Sequence, residues 1–225
     1  MTLEKNNGLA PQNRPLPHSL YSASALEAAP LLLGQTLVRR TEDGEIRCRI
    51  VETESYGGRE DKGSHAFGGR RTARTETMFH AGGKAYVYLI YGMYHCVNVV
   101  TGPENDPQAV LIRAVEPMTS LDADRMRLYR GKLPAGKPSN LSNGPGKLCR
   151  ALRIDKSLNG CRLDRLGGPL YLEQGESAAG LPIVQSPRIN IPYAEEYAGM
   201  PWRFYIEGNP YVSVVDKQAV PYLCK

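Results

Sequence analysis

The sequence predicts an α+β fold: a single domain with a curved, mainly antiparallel β-sheet, flanking helices and a protruding β-hairpin. Segments that alternate apolar and polar residues with period two recur along the chain, and turn sequences separate them. Glycine (23 residues) and proline (17 residues) are abundant, which together with β-branched runs favours a strand-rich, loop-rich structure. Helix signals occur only in short stretches, so helices are expected on the flanks of the sheet.

The composition is that of a globular protein. The 225 residues are 41% hydrophobic and 23% charged, and they are enough to bury a substantial core. Residues 1–17 are polar and contain proline, so we expect a flexible N-terminal arm followed by one domain at 18–225. The five cysteines lack a C-x-x-C pair, which indicates free thiols in a reducing compartment. With no apolar signal or membrane-spanning run, we expect a cytoplasmic protein with no membrane partner, associated with the nucleoid in a bacterium or located in the nucleus of a eukaryote. Nothing in the sequence requires a dimer, so we expect a monomer.

The first elements carry local signals. Ser24 and Glu27 have the spacing of a capping box, so a helix is expected to begin there. Gly34 is placed to stop this helix, and Pro30 is expected to kink or shorten it.

A pair of strands is predicted next, at 36–40 and 45–54, across the turn sequence Glu-Asp-Gly at 42–44. The alternation slips at Val51, which predicts a β-bulge just before Glu54. Bulges often redirect side chains next to active sites, and Glu54 stands at the end of this otherwise buried strand.

The middle of the chain contrasts a long loop with a regular hairpin. The loop, 56–83, has no periodicity and is longer than a connection requires, so we expect it to be functional or disordered. The hairpin, 84–100, reads KAYVYLIYGMYHCVNVV, with a turn at YGMY. Further elements are predicted by the same rules: a buried strand at 109–115 containing Arg113, a helix at 120–130 capped by Ser120, a short helix at 148–152, and strands at 170–172, 183–191 and 202–207.

The hairpin tip and the loop before it suggest a nucleic-acid partner. Tyr91, Met93 and Tyr94 are large and partly apolar at a turn, where they could act as a wedge between stacked bases. Arg70, Arg71 and Arg74 precede the hairpin, and this positive charge suits a polyanion. A tyrosine-rich hairpin that only packs on a core remains the alternative at this point.

The candidate chemistry centres on the junction VETESY at 51–56, followed by Asp61 and His65. A fixed carboxylate at Glu54 could hold or deprotonate a water, although a solvated strand-end carboxylate is the alternative. A zinc site from Glu54 and the histidines has no recognised spacing to support it, and a Ser-His-Asp triad has no nucleophile elbow.

Long motifs in the same order resemble the alkyladenine DNA glycosylase family, the 3-methyladenine DNA glycosylases of the mammalian type. They are VETESY, the histidine within GSHAFGGRRTARTETMF, AYVYLIYGMYHCVNVV, LIRAVEP and NGPGKLCRAL. The similarity covers about residues 31–216. The segment TGPENDPQ at 101–108 departs from the family's usual turn, which leaves lesion preference open.

The resemblance implies a role for each matching position. Glu54 would be the general base that activates a water to attack the sugar C1′, and Arg113 would position that water or the adjoining phosphate. Tyr56 and Tyr88 would sandwich the flipped base, and His65 would stack on it and hydrogen-bond to it.

Two further positions would act on the DNA and on its guanines. Tyr91 would intercalate into the duplex and fill the gap left by the flipped base, and Asn98 would clash with the exocyclic amine of guanine. The expected substrates are 3-methyladenine, 7-methylguanine, hypoxanthine and ethenoadenine in double-stranded DNA.

Simple hydrolysis to an abasic site is expected, with no cofactor and no metal. No lysine stands beside Glu54 to form a Schiff base, which argues against strand cleavage. The alternatives are a binding module that recognises damaged or single-stranded nucleic acid without chemistry, and a small-molecule transferase, for which no cofactor loop is evident. Glu54 distinguishes the glycosylase from the binding module, because a pure binder gains nothing from a carboxylate in a site for an anionic ligand.

Overall fold

The computed structural model describes residues 14–131 and 137–223, which form nine strands and four α-helices. The strands are β1 (Thr36–Thr41), β2 (Gly44–Tyr56), β3 (Ala85–Ile90), β4 (Tyr94–Thr101), β5 (Gln108–Pro117), β6 (Leu170–Glu173), β7 (Ile183–Ser186), β8 (Arg203–Ile206) and β9 (Val220–Pro221). The helices are α1 (His18–Ser22), α2 (Ala25–Leu31), α3 (Ser120–Arg130) and α4 (Pro145–Ala151).

One sheet contains all nine strands, and every pairing within it is antiparallel. The order along the sheet is β3-β4-β5-β2-β8-β7-β9, with β1 paired to β2 and to β6. The long strand β2 is central, because its first half pairs with β1, its last residues pair with β8, and β5 lies along its other edge. The predicted α+β class with an antiparallel sheet is confirmed.

Two apolar clusters hold the sheet and its surroundings together. The main core joins the helices to β1, β2, β4 and β5 through small and aliphatic side chains such as Ala28, Leu33, Ile112 and Leu148. A second cluster lies under the loop before the hairpin and contains Ala66, Met78, Phe79, Tyr86, Val100 and Ala109. Burial of Met78 and Phe79 orders this loop, so the stretch without periodicity is a packed wall beside the sheet.

The predicted bulge is confirmed, and it has a counterpart on the neighbouring strand. In the register of β2 with β5, Ile50 pairs with Val115 and Glu52 with Ala114, which leaves Val51 without a partner. The register shifts again after Glu52, and this second shift leaves Arg113 without a partner. Each bulge turns one residue out of the regular alternation, and together they set the directions of Glu52, Glu54 and Arg113.

Several element boundaries differ from the predictions. The capping box of Ser24 and Glu27 is present, but the helix ends at Leu31, one residue after Pro30. The third helix is capped by Thr119 rather than Ser120, because the Thr119 hydroxyl accepts the amide of Asp122.

The later elements also shift. The short helix begins at Pro145 instead of residue 148, since proline suits the first helical position. The strand predicted at 183–191 ends at Ser186, because Pro187 follows it and cannot donate to the ladder.

The start of the described chain is attached to the sheet. Pro15 forms an isolated bridge with Glu173, and the Gln174 amide donates to the Arg14 carbonyl. Residues 1–13 of the predicted arm lie outside the described residues. The four described cysteines are free, as predicted, and no described helix is long and apolar enough to cross a membrane.

Candidate active site

A cavity of about 850 Å³ opens between the β3–β4 hairpin, the loop at 57–65, the segment 189–193 and the start of α4. Cavities of this volume are typical of sites for small molecules and nucleotides. Aromatic side chains form much of its wall: they include Tyr56, His65, Tyr86, Tyr88, Tyr91 and Tyr94.

Glu54 lies on β2 beside this cavity and has no exposed surface. Its Oε2 accepts a hydrogen bond from the Tyr56 hydroxyl at 2.9 Å, and its Oε1 accepts one from the Ile189 amide at 2.8 Å. Arg113 Nη1 lies 3.3 Å from the same Oε1. Because Tyr56, Arg113 and Ile189 all line the cavity, the carboxylate is fixed directly behind its wall, and the alternative of a solvated strand-end carboxylate is wrong.

The groups around Glu54 keep their protons at neutral pH. Burial, and then the Glu54 carboxylate, raise the pKa of Tyr56 well above its ordinary value, so its hydroxyl remains a hydrogen-bond donor. Burial by itself lowers the pKa of Arg113, but the carboxylates of Glu54 and Glu52 outweigh it and raise the pKa. Arg113 is therefore a fixed cation at the floor of the cavity.

Two of the predicted base-binding side chains contact each other. The rings of His65 and Tyr88 meet edge to face, with centroids 4.6 Å apart and planes at 77°. Tyr86 packs behind Tyr88 at 5.2 Å between ring centroids. This arrangement fixes the Tyr88 ring as one wall of the cavity, and Tyr56 lines the same cavity.

His65 is held in the neutral form. Burial, and then the positive charge of Arg74, lower the pKa of His65 to about 4. Its Nδ1 shares a hydrogen bond with the Tyr86 hydroxyl at 3.0 Å, and Arg74 Nη2 lies 3.5 Å from Nε2. A neutral imidazole has one donor nitrogen and one acceptor nitrogen, so it is suited to hydrogen bonding with a purine base that carries no negative charge.

Asn98 lies on β4, is almost completely buried and lines the cavity. Its Nδ2 donates to the Tyr86 carbonyl at 2.9 Å, which fixes the plane of the amide. A fixed amide at the wall of a cavity can exclude ligands by shape, because it cannot rotate away from them.

The hairpin tip presents its side chains to solvent. Tyr91, Met93 and Tyr94 are 75%, 69% and 42% exposed. Tyr91 (φ 53°) and Gly92 (φ 68°) both have left-handed backbone conformations, and the Met93 amide donates to the Ile90 carbonyl to close the turn. A left-handed tyrosine is strained by about 1 kcal/mol. Three neighbouring exposed apolar side chains indicate a binding surface.

The three arginines of the predicted basic patch separate. Arg74 lines the cavity and lies over the Tyr88 ring, 5.1 Å from its centroid. Arg71 instead pairs with Glu76 at 2.6 Å and packs on Phe79, and it is not among the cavity-lining residues. Arg70 is exposed and also lies outside the cavity wall.

A second group of basic residues lines the opposite side of the cavity, and the sequence prediction did not identify them as a group. Arg130 ends α3, and Lys147 and Arg150 lie on α4. Burial lowers the pKa of Arg130 and of Lys147, and neighbouring cations add to it: Arg150 acts on Arg130, and Arg130 acts on Lys147. All three residues line the cavity together with Tyr94, so three positive charges converge there, at a place suited to an anionic ligand.

A buried ion pair supports the wall that contains Tyr56. Arg188 pairs with Asp61 through both guanidinium nitrogens, at 2.5 and 2.7 Å, and both side chains are almost completely buried. The guanidinium lies 4.7 Å from the centroid of the Tyr56 ring. Asp61 also accepts the amides of Gly57 and Gly63, so one carboxylate fixes the loop that follows β2.

The zinc site considered from the sequence can be checked against the positions of its possible ligands. Within the described ranges, no group of three His, Cys, Asp or Glu side chains is arranged so that it could hold a metal ion. Glu54 instead interacts with an arginine, a tyrosine and a backbone amide.

Comparison with known proteins identifies the family of the chain. A family model described as methylpurine-DNA glycosylase (MPG) matches residues 19–210. Proteins named "Putative 3-methyladenine DNA glycosylase" from Bacillus cereus (strain ATCC 10987 / NRS 248) and Bacillus thuringiensis (strain Al Hakam) are each 49% identical over 200 residues, which is 88% of this chain and 98% of each relative. The chain therefore belongs to the methylpurine-DNA glycosylase family.

Proposed function

We propose that this protein is a monofunctional DNA glycosylase that flips a damaged purine out of duplex DNA and hydrolyses its N-glycosidic bond. The observation that carries the proposal is the buried Glu54 carboxylate, held by Tyr56, Ile189 and Arg113 directly behind the wall of an aromatic cavity. A base inside a duplex cannot reach such a cavity, so extrusion must precede chemistry.

The proposed reaction uses one water and the Glu54 carboxylate. The Oε2 atom accepts one hydrogen bond, from Tyr56, among the described residues, so it has capacity for a second from a water. The water oxygen bonds to C1′ as the bond from C1′ to N9 of the purine breaks, and the bonding electron pair leaves with the base. Glu54 takes the water proton. Arg113 would hold that water or the adjoining phosphate.

The substrate range follows from the aromatic wall. Purines alkylated at N3 or N7 carry positive charge, and the faces of Tyr56 and Tyr88 would attract them by about 0.5–2 kcal/mol. Alkylated bases such as 3-methyladenine and 7-methylguanine leave as neutral molecules. Hypoxanthine and ethenoadenine are neutral in DNA, so they would depend more on hydrogen bonds, for which the neutral His65 is suited.

The DNA would lie across the cavity mouth, with Tyr91 filling the gap left by the flipped base and Met93 and Tyr94 contacting its neighbours. Arg74 on one side and the Arg130–Lys147–Arg150 group on the other would contact phosphates.

Incubation with labelled duplexes tests the enzyme against the non-catalytic binder. Separate duplexes carry hypoxanthine, ethenoadenine, 3-methyladenine or 7-methylguanine, and each is analysed with and without alkali. We expect strand breaks only after alkali, which reveals abasic sites without lyase activity. Binding of lesion duplex without release of any base would favour the binding module, and strand breaks without alkali would contradict the monofunctional assignment.

A further inference from the structure

The Glu54 site rests on a second buried carboxylate to which no role has been assigned. Glu52 precedes Glu54 by two residues on β2 and has no exposed surface. Its Oε1 accepts hydrogen bonds from Arg113 Nε at 3.2 Å, Arg203 Nη1 at 3.0 Å and the Ser213 hydroxyl at 2.9 Å. Its Oε2 accepts the Ser213 amide at 2.7 Å. Four donors therefore converge on a single carboxylate.

This network determines where Arg113 points. Arg113 contacts Glu52 through Nε, the Ser213 hydroxyl through Nη2 at 3.4 Å, and Glu54 through Nη1 at 3.3 Å. Three contacts on three different nitrogens fix the plane of the guanidinium. Because Arg113 stands at a bulge, the ladder with β2 does not pair its backbone, and the side-chain network supplies the missing restraint.

The charges in this cluster balance. Glu52 and Glu54 supply two negative charges, and Arg113 and Arg203 supply two positive charges, all in side chains that are at most 9% exposed. Arg203 is held away from Glu54 by its bonds to Glu52 and to the carbonyls of Pro187 and Val214. Without the Glu52 charge, one positive charge would remain uncompensated beside Glu54. Arg113 would then be free to turn both of its terminal nitrogens, Nη1 and Nη2, towards the Glu54 carboxylate.

We propose that Glu52, fixed by Ser213 of the C-terminal segment, is a positioning residue: it holds Arg113 so that Glu54 receives one guanidinium nitrogen and stays available to activate water. The inference rests on the proposed function of Glu54. It also gives a role to the segment NPYVSVVD at 209–216, which would complete the site through Ser213.

The central test compares Glu52→Gln with the wild type under single-turnover conditions on hypoxanthine duplex. We expect the rate of base release to fall by up to about 100-fold, as for a small displacement of a catalytic group. The Kd for lesion duplex should stay within about threefold, because Glu52 does not line the cavity. The acidic limb of the rate–pH profile should move to lower pH, because the leftover positive charge disfavours protonation of Glu54.

The titratable groups that face Glu54 do not change their charge in the pH range of this acidic limb. They are Tyr56 on β2, Tyr88 on β3, Cys96 on β4, Arg113 on β5 and Tyr193, and the pKa of each is raised. His65 has a pKa of about 4 and contributes to the limb in both proteins, so the comparison between them removes it.

Two further variants separate charge from geometry. Ser213→Ala removes two hydrogen bonds and no charge, so we expect a rate several-fold lower with an unmoved acidic limb. Glu173→Gln is the matched control: Glu173 is also a buried carboxylate on the sheet and pairs with an arginine, Arg47, but it lies outside the cluster. Its rate and profile should match the wild type.

The outcomes distinguish this inference from the function on which it rests. If Glu54→Gln is inactive while Glu52→Gln keeps the wild-type rate and acidic limb, the positioning role is wrong and the glycosylase mechanism stands. A slower Glu52→Gln with an unmoved limb would indicate a purely structural role and would also overturn the inference. If Glu52→Gln does not fold, a wild-type rate for Ser213→Ala overturns it. Full activity of Glu54→Gln would reject the proposed mechanism itself.

Discussion

Breaking the buried ion pair between Asp61 and Arg188 is predicted to destabilise the protein strongly. Asp61→Asn removes the negative charge and leaves the Arg188 guanidinium buried without a counterion. The aspartate accepts four hydrogen bonds, at 2.5, 2.7, 2.8 and 3.0 Å, from Arg188 and from the amides of Gly57 and Gly63. Asparagine has one acceptor oxygen, and its amide nitrogen would face other donors.

The magnitude follows from burial. Breaking a buried pair by removing one partner costs about 3–5 kcal/mol, and both side chains here are at most 1% exposed. For a protein of this size, 1 kcal/mol corresponds to about 2–4 °C in Tm. We therefore expect the Tm of Asp61→Asn to fall by about 6–20 °C.

Asp124→Asn is the matched control for this experiment. Asp124 pairs with Arg127 at 2.6 Å, but these side chains are 68% and 52% exposed, so the loss should be below about 1 kcal/mol. Urea unfolding of the wild type and both variants measures the difference. If Asp61→Asn is no less stable than Asp124→Asn, the buried pair does not hold the loop after β2 and the reasoning is refuted.

Three further predictions concern the cavity and its mouth. Tyr91→Ser should weaken binding to lesion duplex by about 1–3 kcal/mol, the worth of one stacked aromatic, measured by fluorescence anisotropy; unchanged affinity would contradict the wedge. Asn98→Ser should raise the release of normal guanine relative to hypoxanthine, and an unchanged ratio would argue against a steric clash. His65 has a folded pKa of about 4, below its ordinary value of 6.5, so the unfolded chain binds a proton first as the pH falls. Its contribution to stability is therefore present above pH 6.5 and is lost progressively towards pH 4. Urea unfolding should show wild type losing about 2 kcal/mol more than His65→Gln between pH 7.5 and 5, and equal losses would contradict a buried neutral imidazole.

Patterns in the local sequence predicted the strands and the bulge. The first half of β2 alternates with period two because one of its faces is buried, and the slip at Val51 marked a real bulge. Apart from Arg113, the interior of β5 is a continuous apolar run because the strand is buried along most of its length. The helix ends were less accurate, because a threonine and a serine stand side by side at 119–120 and both can cap a helix.

The support of the site could not be predicted in the same way. Asp61 and Arg188 are 127 residues apart in sequence, and Glu52 and Ser213 are 161 apart. No periodicity or spacing connects residues so distant. Ile189 fell within the strand predicted at 183–191, whereas that strand ends at Ser186 and the Ile189 amide, in the loop that follows, donates to Glu54. The one available signal was the pair of carboxylates at Glu52 and Glu54 on a buried strand, which requires cations from elsewhere in the chain.

The most direct test of the account is single-turnover release of hypoxanthine by Glu54→Gln, with the affinity for lesion duplex measured on the same protein. Glutamine keeps the size of the side chain but cannot take a proton from water. We predict a rate at least about 100-fold below that of the wild type, with a Kd within a few-fold. A variant that releases base at the wild-type rate would contradict the role of Glu54 as the general base.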